Sequence, residues 1–142
     1  ESVLLPETGI RIFGVEIDMD YYKKLRKSVM KVSYLNSLLG RPCADEYNIL
    51  LAHNPDYFQA YAGWGADLVL SGHVHGGIMR LPVLGGVLSP ALRLFPRYDG
   101  GLYEEGKSKM VLGRGLGTHT LPIRVFNPGE LIVVRLEPER GN

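Results

Sequence analysis

The chain has 142 residues, enough for one domain with a real core, and its 16 Lys+Arg against 15 Asp+Glu leave a formal net charge of +1. That balance excludes a general nucleic-acid binder acting through charge. A single cysteine, Cys43, excludes an internal disulfide framework and fits a reducing compartment, and no stretch reaches the roughly 18 apolar residues of a membrane span.

The N-terminus, "ESVLLPETGI", has neither the basic region nor the long apolar run of a secretory signal. It starts at Glu1 rather than Met, which reads as a processed or excised piece. Residues 2–5 and 10–16 read as two short strands around a turn at 6–9. Residues 18–40 read as one helix, capped by Asp18 or Asp20, with Tyr22, Leu25, Val29, Val32, Leu35 and Leu39 recurring at spacings of three and four. Lys23, Lys24, Arg26, Lys27 and Lys31 fall mostly on other faces, the pattern of a solvated helix surface. Gly40 and Pro42 form the stop.

"YNILLAH", 47–53, reads as a buried strand, 55–65 as a short helix opened by Pro55, and "ADLVLSG", 66–72, as the next strand. Strand–helix–strand in this order implies two parallel neighbours with a crossover helix. The glycine-rich second half, from residue 62 on, predicts short strands joined by shaped loops, and beyond Gly77 a hairpin turning near Gly106 and a final strand over 130–138. No repeat or domain boundary stands out. Trp64 and Tyr57 are expected to pack the helix against the sheet.

Three of the four histidines converge in this scheme. His53 ends one parallel strand; His73 and His75 follow the end of the next. Ligand sites of open α/β sheets lie beyond the carboxyl ends of parallel strands, so two independent strands deliver imidazoles to one edge. One histidine after a strand is ordinarily structural; three at one edge point to a metal site. Positions 73 and 75 would face one side in an extended strand, but in a loop they can diverge and serve two neighbouring ions. Gly72, Gly76 and Gly77 permit the backbone angles such a loop needs. Neutral imidazole suits Zn, Fe, Ni or Mn-type ions.

With these residues in place, "ILLAHNPDYF" followed by "DLVLSGHVHGG" resembles the C-terminal half of the calcineurin-like metallophosphoesterases, closest to their small bacterial branch. The likeness runs on through "FPRYDGGLYEEGKSKMVLGRGLGTHTLPIRVFNPGELIVVRL" and covers most of residues 10–137. It implies an α/β (α+β) fold with a mixed sheet: half of a two-sheet β-sandwich flanked by helices, with the metal site at strand ends. It also implies hydrolysis of phosphoester or pyrophosphate bonds by two divalent ions (Mn, Fe, Zn or similar). By that resemblance His53 and His73 would bind the second metal and His75 the first, with Val74 at the variable position. The substrates implied are phosphorylated small molecules or lipid-linked phosphates, leaning towards phosphodiesters and lipid-linked pyrophosphates. Nothing implies a specific nucleic-acid partner.

The family's upstream ligands, an Asp-x-His pair, a bridging Asp and an Asn-His pair, have no counterpart here, since no histidine precedes position 53. Residues 1–142 therefore read as the C-terminal portion of the domain, with no catalytic residue of its own. Three histidines supply neither anionic charge nor a bridge. At most one ion is expected, and little or no activity from this chain alone. A non-enzymatic metal-binding module and a purely structural domain are the rival readings.

Several other residues have two uses. Asn54 and Asp56 follow His53; Asp56 either orients a ligand histidine or, more naturally, caps the next helix. "GRGLGTH", 113–119, is either an anion nest or a plain turn, and His119 either approaches the site or hydrogen-bonds structurally. Arg80, Arg97, Arg114 and Arg124 can match phosphate bidentately or serve as surface and packing residues; Arg80, Arg114 and His119 are the substrate candidates. The apolar, loop-like stretch 79–98 suits covering the site, docking on a lipid surface or partner, or ordinary packing. The implied location is cytoplasmic or peripheral to a membrane. Without the missing half, exposed sheet edges are expected to drive self-association.

Overall fold

A computed structural model describes residues 1–23, 28–77, 79–81, 85–88, 94–117 and 124–138. Its elements are β1 (Ser2–Leu5), β2 (Ile10–Val15), a 3₁₀ turn (Met19–Tyr22), α1 (Val32–Leu39), β3 (Tyr47–Ala52), a 3₁₀ turn (Pro55–Tyr57), α2 (Phe58–Trp64) and β4 (Leu68–Ser71). There follow β5 (Met79–Leu81), β6 (Gly85–Leu88), β7 (Gly101–Glu105) and β8 (Ser108–Leu112). Six strands form one sheet in the order β1-β2-β3-β4-β8-β7, and β5 and β6 form a separate two-stranded sheet. Strands β2, β3, β4 and β8 run parallel, while β1 and β7 pair antiparallel at the two edges. The mixed α/β architecture is the one expected, with β3–α2–β4 as the crossover unit and β7–β8 as the hairpin.

Register places the core. Phe13 lies opposite Leu50, Leu50 opposite Val69, and Val69 opposite Met110, so these side chains share one face. Leu35 of α1 and Phe58, Tyr61 and Trp64 of α2 pack with them in a single buried cluster. The opposite face carries Ile12, Ile49 and Leu68 in one row and Leu51, Leu70 and Val111 in the next. Leu51 is exposed there, as is Leu102 on β7. A parallel sheet ordinarily has both faces covered; this one is covered on one side and partly open on the other.

Four expectations are corrected. The single helix over 18–40 is instead the short turn at Met19–Tyr22 and α1 from Val32, with Lys31 in an extended conformation at its start. The break lets Met30 bury while Val29 stays 85% exposed, so the apolar residues do not form one stripe. Asp18 makes no side-chain capping bond; its carboxylate accepts from the Tyr34 hydroxyl at 2.9 Å. Leu25 and the basic cluster Lys24, Arg26 and Lys27 lie outside the described residues. The cap before α2 is Asn54, whose Oδ1 accepts the Asp56 N–H at 3.0 Å, so Asp56 is inside the first turn rather than capping it. The stretch read as loop-like after Gly77 contains β5 and β6. Residues 131–138 are not a strand: a strand exists only where an edge pairs with it, and here Leu131 and Val133 are 82% and 86% exposed.

Candidate metal centre

The carboxyl ends of β3 and β4 are tied together before any histidine is reached. The Ser71 hydroxyl donates to the Ala52 carbonyl at 2.6 Å and lies 3.2 Å from that of His53. The Gly72 N–H donates to the same His53 carbonyl at 3.2 Å. His53 thus leaves β3 beside the point where the chain leaves β4 towards His73.

From Gly72 the backbone makes two tight turns in succession. The Val74 N–H donates to the Gly72 carbonyl at 2.8 Å, with His73 at the centre at φ 69°; this is a γ-turn of the rare, strained hand. The Gly77 N–H then donates to the Val74 carbonyl at 2.8 Å, with His75 at φ 48° and Gly76 at φ 72° in the middle. Two non-glycine residues in left-handed conformations cost roughly 1–3 kcal/mol each and persist only where their surroundings over-determine them. Both of these residues are candidate ligands.

The two turns bring His73 against His53. Nδ1 of His73 and Nε2 of His53 are 3.3 Å apart, with ring centroids 5.0 Å apart and planes at 73°. Tyr22 packs edge-on against His73 at 5.3 Å, and burial raises the Tyr22 phenol above its ordinary value. Two imidazole nitrogens each about 2.0–2.1 Å from one tetrahedral ion stand about 3.3–3.4 Å apart. The pair therefore fits two ligands of a single ion; without one, the same distance serves one ring donating to the other. The described residues hold no cluster of three or more His, Cys, Asp or Glu that could bind a metal, so the three-histidine grouping is not gathered here. His75 is on the second turn, and His119 lies outside the described residues.

Behind the loop stands a layer of paired charges. Arg80 Nη1 donates to the Asp99 carbonyl at 2.7 Å, lies 3.0 Å from the Asp99 carboxylate, and reaches the Gly76 carbonyl at 3.4 Å. The Tyr103 hydroxyl and the Gly86 N–H complete the Asp99 carboxylate. Arg114 Nη2 donates to Glu130 Oε1 at 2.6 Å, and its own N–H reaches Oε2 at 3.3 Å. Those hydrogen bonds hold the Glu130 carboxyl below the ordinary carboxylate range and raise the guanidinium. Arg124 Nη2 donates to the carbonyls of Arg114, Gly115 and Gly117. Arg97 is largely exposed, over the Tyr98 ring. Asn54 is buried, its Nδ2 donating to the Tyr21 carbonyl at 3.4 Å and its backbone carbonyl accepting from the Tyr61 hydroxyl at 3.0 Å.

Asn127, Asp99 and Glu130 are the residues sequence reasoning missed. Asn127-Pro128 and Asp99-Gly100 read as turn dipeptides, and nothing local marks a side chain that reaches back to a loop 50 residues upstream.

Curated relatives match part of the chain. The Bacillus subtilis metallophosphoesterase YkuE is 35% identical over 91 residues, 64% of this chain and 31% of its own length. The Escherichia coli phosphodiesterase YaeI is 38% identical over 80 residues, 54% of this chain and 29% of its own. The Chlamydia muridarum UDP-2,3-diacylglucosamine pyrophosphatase LpxG is 33% identical over 99 residues, 61% and 28% respectively. The chain thus spans about a third of the length of the curated relatives it matches. No family model and no solved structure matches it.

Proposed function

We propose, from the premise that this chain is homologous to bacterial metallophosphoesterases, that it is the C-terminal portion of a domain that hydrolyses phosphodiester or pyrophosphate bonds. The observation that carries this is the convergence of His53 Nε2 and His73 Nδ1 to 3.3 Å at the ends of two parallel strands. Those two nitrogens would hold one divalent ion (Mn, Fe, Zn or similar), and His75, on the second turn, would serve a second. Ions held there supply Lewis-acid stabilisation of the charge on a transferring phosphate. Arg80 and Arg114 already pair with carboxylates beside Gly76, so a phosphate contact by either requires exchanging that partner.

The substrate class follows the names of two relatives, a phosphodiesterase and a pyrophosphatase of a lipid-linked sugar nucleotide: a phosphorylated small molecule or a lipid-linked phosphate. No described helix is long and apolar enough to cross a membrane. A bridging carboxylate is what a two-metal hydrolase needs to hold its ions about 3.5–4 Å apart. Among the described residues no carboxylate joins the histidine pair, and background activity is expected of this chain alone. A second reading, a metal-binding module without catalysis, draws on the same approach of His53 and His73, which needs no bridging carboxylate.

The test is metal content by mass spectrometry of the protein purified without a histidine tag, beside His53→Ala and His73→Ala, with hydrolysis of bis(p-nitrophenyl) phosphate as the activity assay. Bound metal lost in both variants and background hydrolysis are expected. Metal absent from the wild type would reduce this part to scaffold, and clear turnover by this chain alone would overturn the division of labour.

A further inference from the structure

We infer that Asn127 is the positioning residue of the histidine loop, holding the left-handed turn that aims His75; this rests on the reading of His75 as a metal-site ligand. Asn127 lies 52 residues beyond His75, is 2% exposed, and donates from Nδ2 to the carbonyls of His75 and Gly77, both at 2.7 Å. Those carbonyls flank Gly76, the third residue of the second turn. One NH₂ group bridging them fixes two peptide planes at once, and with them the backbone from which the His75 imidazole projects. The two acceptors also settle which end of the carboxamide faces the loop.

The grip depends on close approach. A Cβ at Gly76 would stand 2.6 Å from Asn127 Oδ1 and 2.7 Å from Arg114 Cδ, so the loop backbone lies directly on both side chains. Gly76 at φ 72° serves the turn and the clamp together. Among the described residues Asn127 Oδ1 has no hydrogen-bond partner. A buried acceptor left unpaired is costly, and a residue present only for packing would be apolar. What Asn127 contributes is its pair of donors, aimed at a loop whose two histidines both sit at positive φ, a region few non-glycine residues occupy.

The experiment compares wild type with Asn127→Asp, which keeps the shape and loses the NH₂, and with Asn127→Ser, smaller and uncharged should the buried carboxylate prevent folding. Amide hydrogen exchange is measured at Gly77 and Val74 in metal-free protein, and Zn²⁺ affinity by calorimetry. The variants are expected to exchange at these amides at least about tenfold faster, with β3 and β4 amides unchanged. Zn²⁺ held by His53 and His73 should bind about 10–100-fold more weakly, because His73 leaves the same doubly turned loop as His75; that is the usual effect of removing a group that orients a metal ligand. Unchanged exchange at Gly77 overturns the inference whatever the metal does, and so does a uniform rise across β3 and β4, which would mark general support of the fold. Unchanged Zn²⁺ affinity with a loosened loop overturns the link between the loop and the metal site. If the wild type binds no Zn²⁺ while the loop still loosens in the variants, the metal reading fails and the loop-holding role stands.

Discussion

The Arg114–Glu130 pair shows how single residues behind the loop respond to solution conditions. Its carboxylate accepts from both the guanidinium and the Arg114 backbone N–H, which holds the native Glu130 carboxyl below its ordinary value. A carboxyl depressed in the native state stabilises the fold above its unfolded pKa, about 4.3 for glutamate. That contribution is lost as pH falls through the lower native value. Glu46, depressed by its hydrogen bonds with Arg11, acts in the same direction. Urea unfolding of Glu130→Gln is therefore expected to show lower stability than wild type at pH 7 and a shallower loss between about pH 5 and 3. Parallel pH profiles for the two proteins would show that the pair contributes nothing. The three histidines were legible at this scale because residue type and place at a strand end are local facts; Asn127 was not, because its partners are distant in sequence.

Among the elements, α2 is the best anchored. Pro55 and the Asn54 side chain open the turn before it. Trp64 closes it by donating Nε1 to the Gly40 carbonyl at 2.9 Å and meeting Phe13 edge-on at 4.9 Å. Gly65 ends α2 at φ 113°, where a Cβ would lie 2.7 Å from Pro42 Cγ. Gly65→Ala meets both an unfavourable φ and a collision, so it is expected to cost more than about 1 kcal/mol and to lower the thermal midpoint by a few degrees. An unchanged melting curve would mean the turn relaxes freely. The strand–helix–strand order was readable from apolar runs and Pro55. The non-helical stretch just before Val32 was not, because the contacts around it are tertiary: the Tyr21 ring meets Tyr34 at 4.9 Å and the Tyr21 carbonyl accepts from the Tyr57 hydroxyl at 2.8 Å.

Among the described residues the sheet has a partly open face, and an apolar segment runs on from it without a strand partner. Leu51 and Leu102 are exposed on that face, and Leu131 and Val133 alternate with the less exposed Ile132 and Val134. Ile132 Cδ1 would lie 3.8 Å from a Cβ at Gly113, so the segment runs beside the end of β8 without joining the ladder. Unpaired edges and exposed apolar rows favour pairing with another chain. Light scattering across a concentration series should show association, and Leu131→Lys with Val133→Lys should reduce it. A wild-type monomer at every concentration would mean these surfaces are inert.

The sequence by itself determined which segments are strands flanking α2, and that His53, His73 and His75 stand where those strands end. Period, residue type and turn chemistry act over a few neighbours, and these features need nothing more. Only the tertiary structure decided that two of those rings meet at 3.3 Å, that the loop carrying His73 and His75 is left-handed, and that Asn127 bridges it. It also decided that the alternating apolar run 131–136 is not a strand, because a strand is a relation between two segments, and among the described residues no partner is hydrogen-bonded to it as a strand.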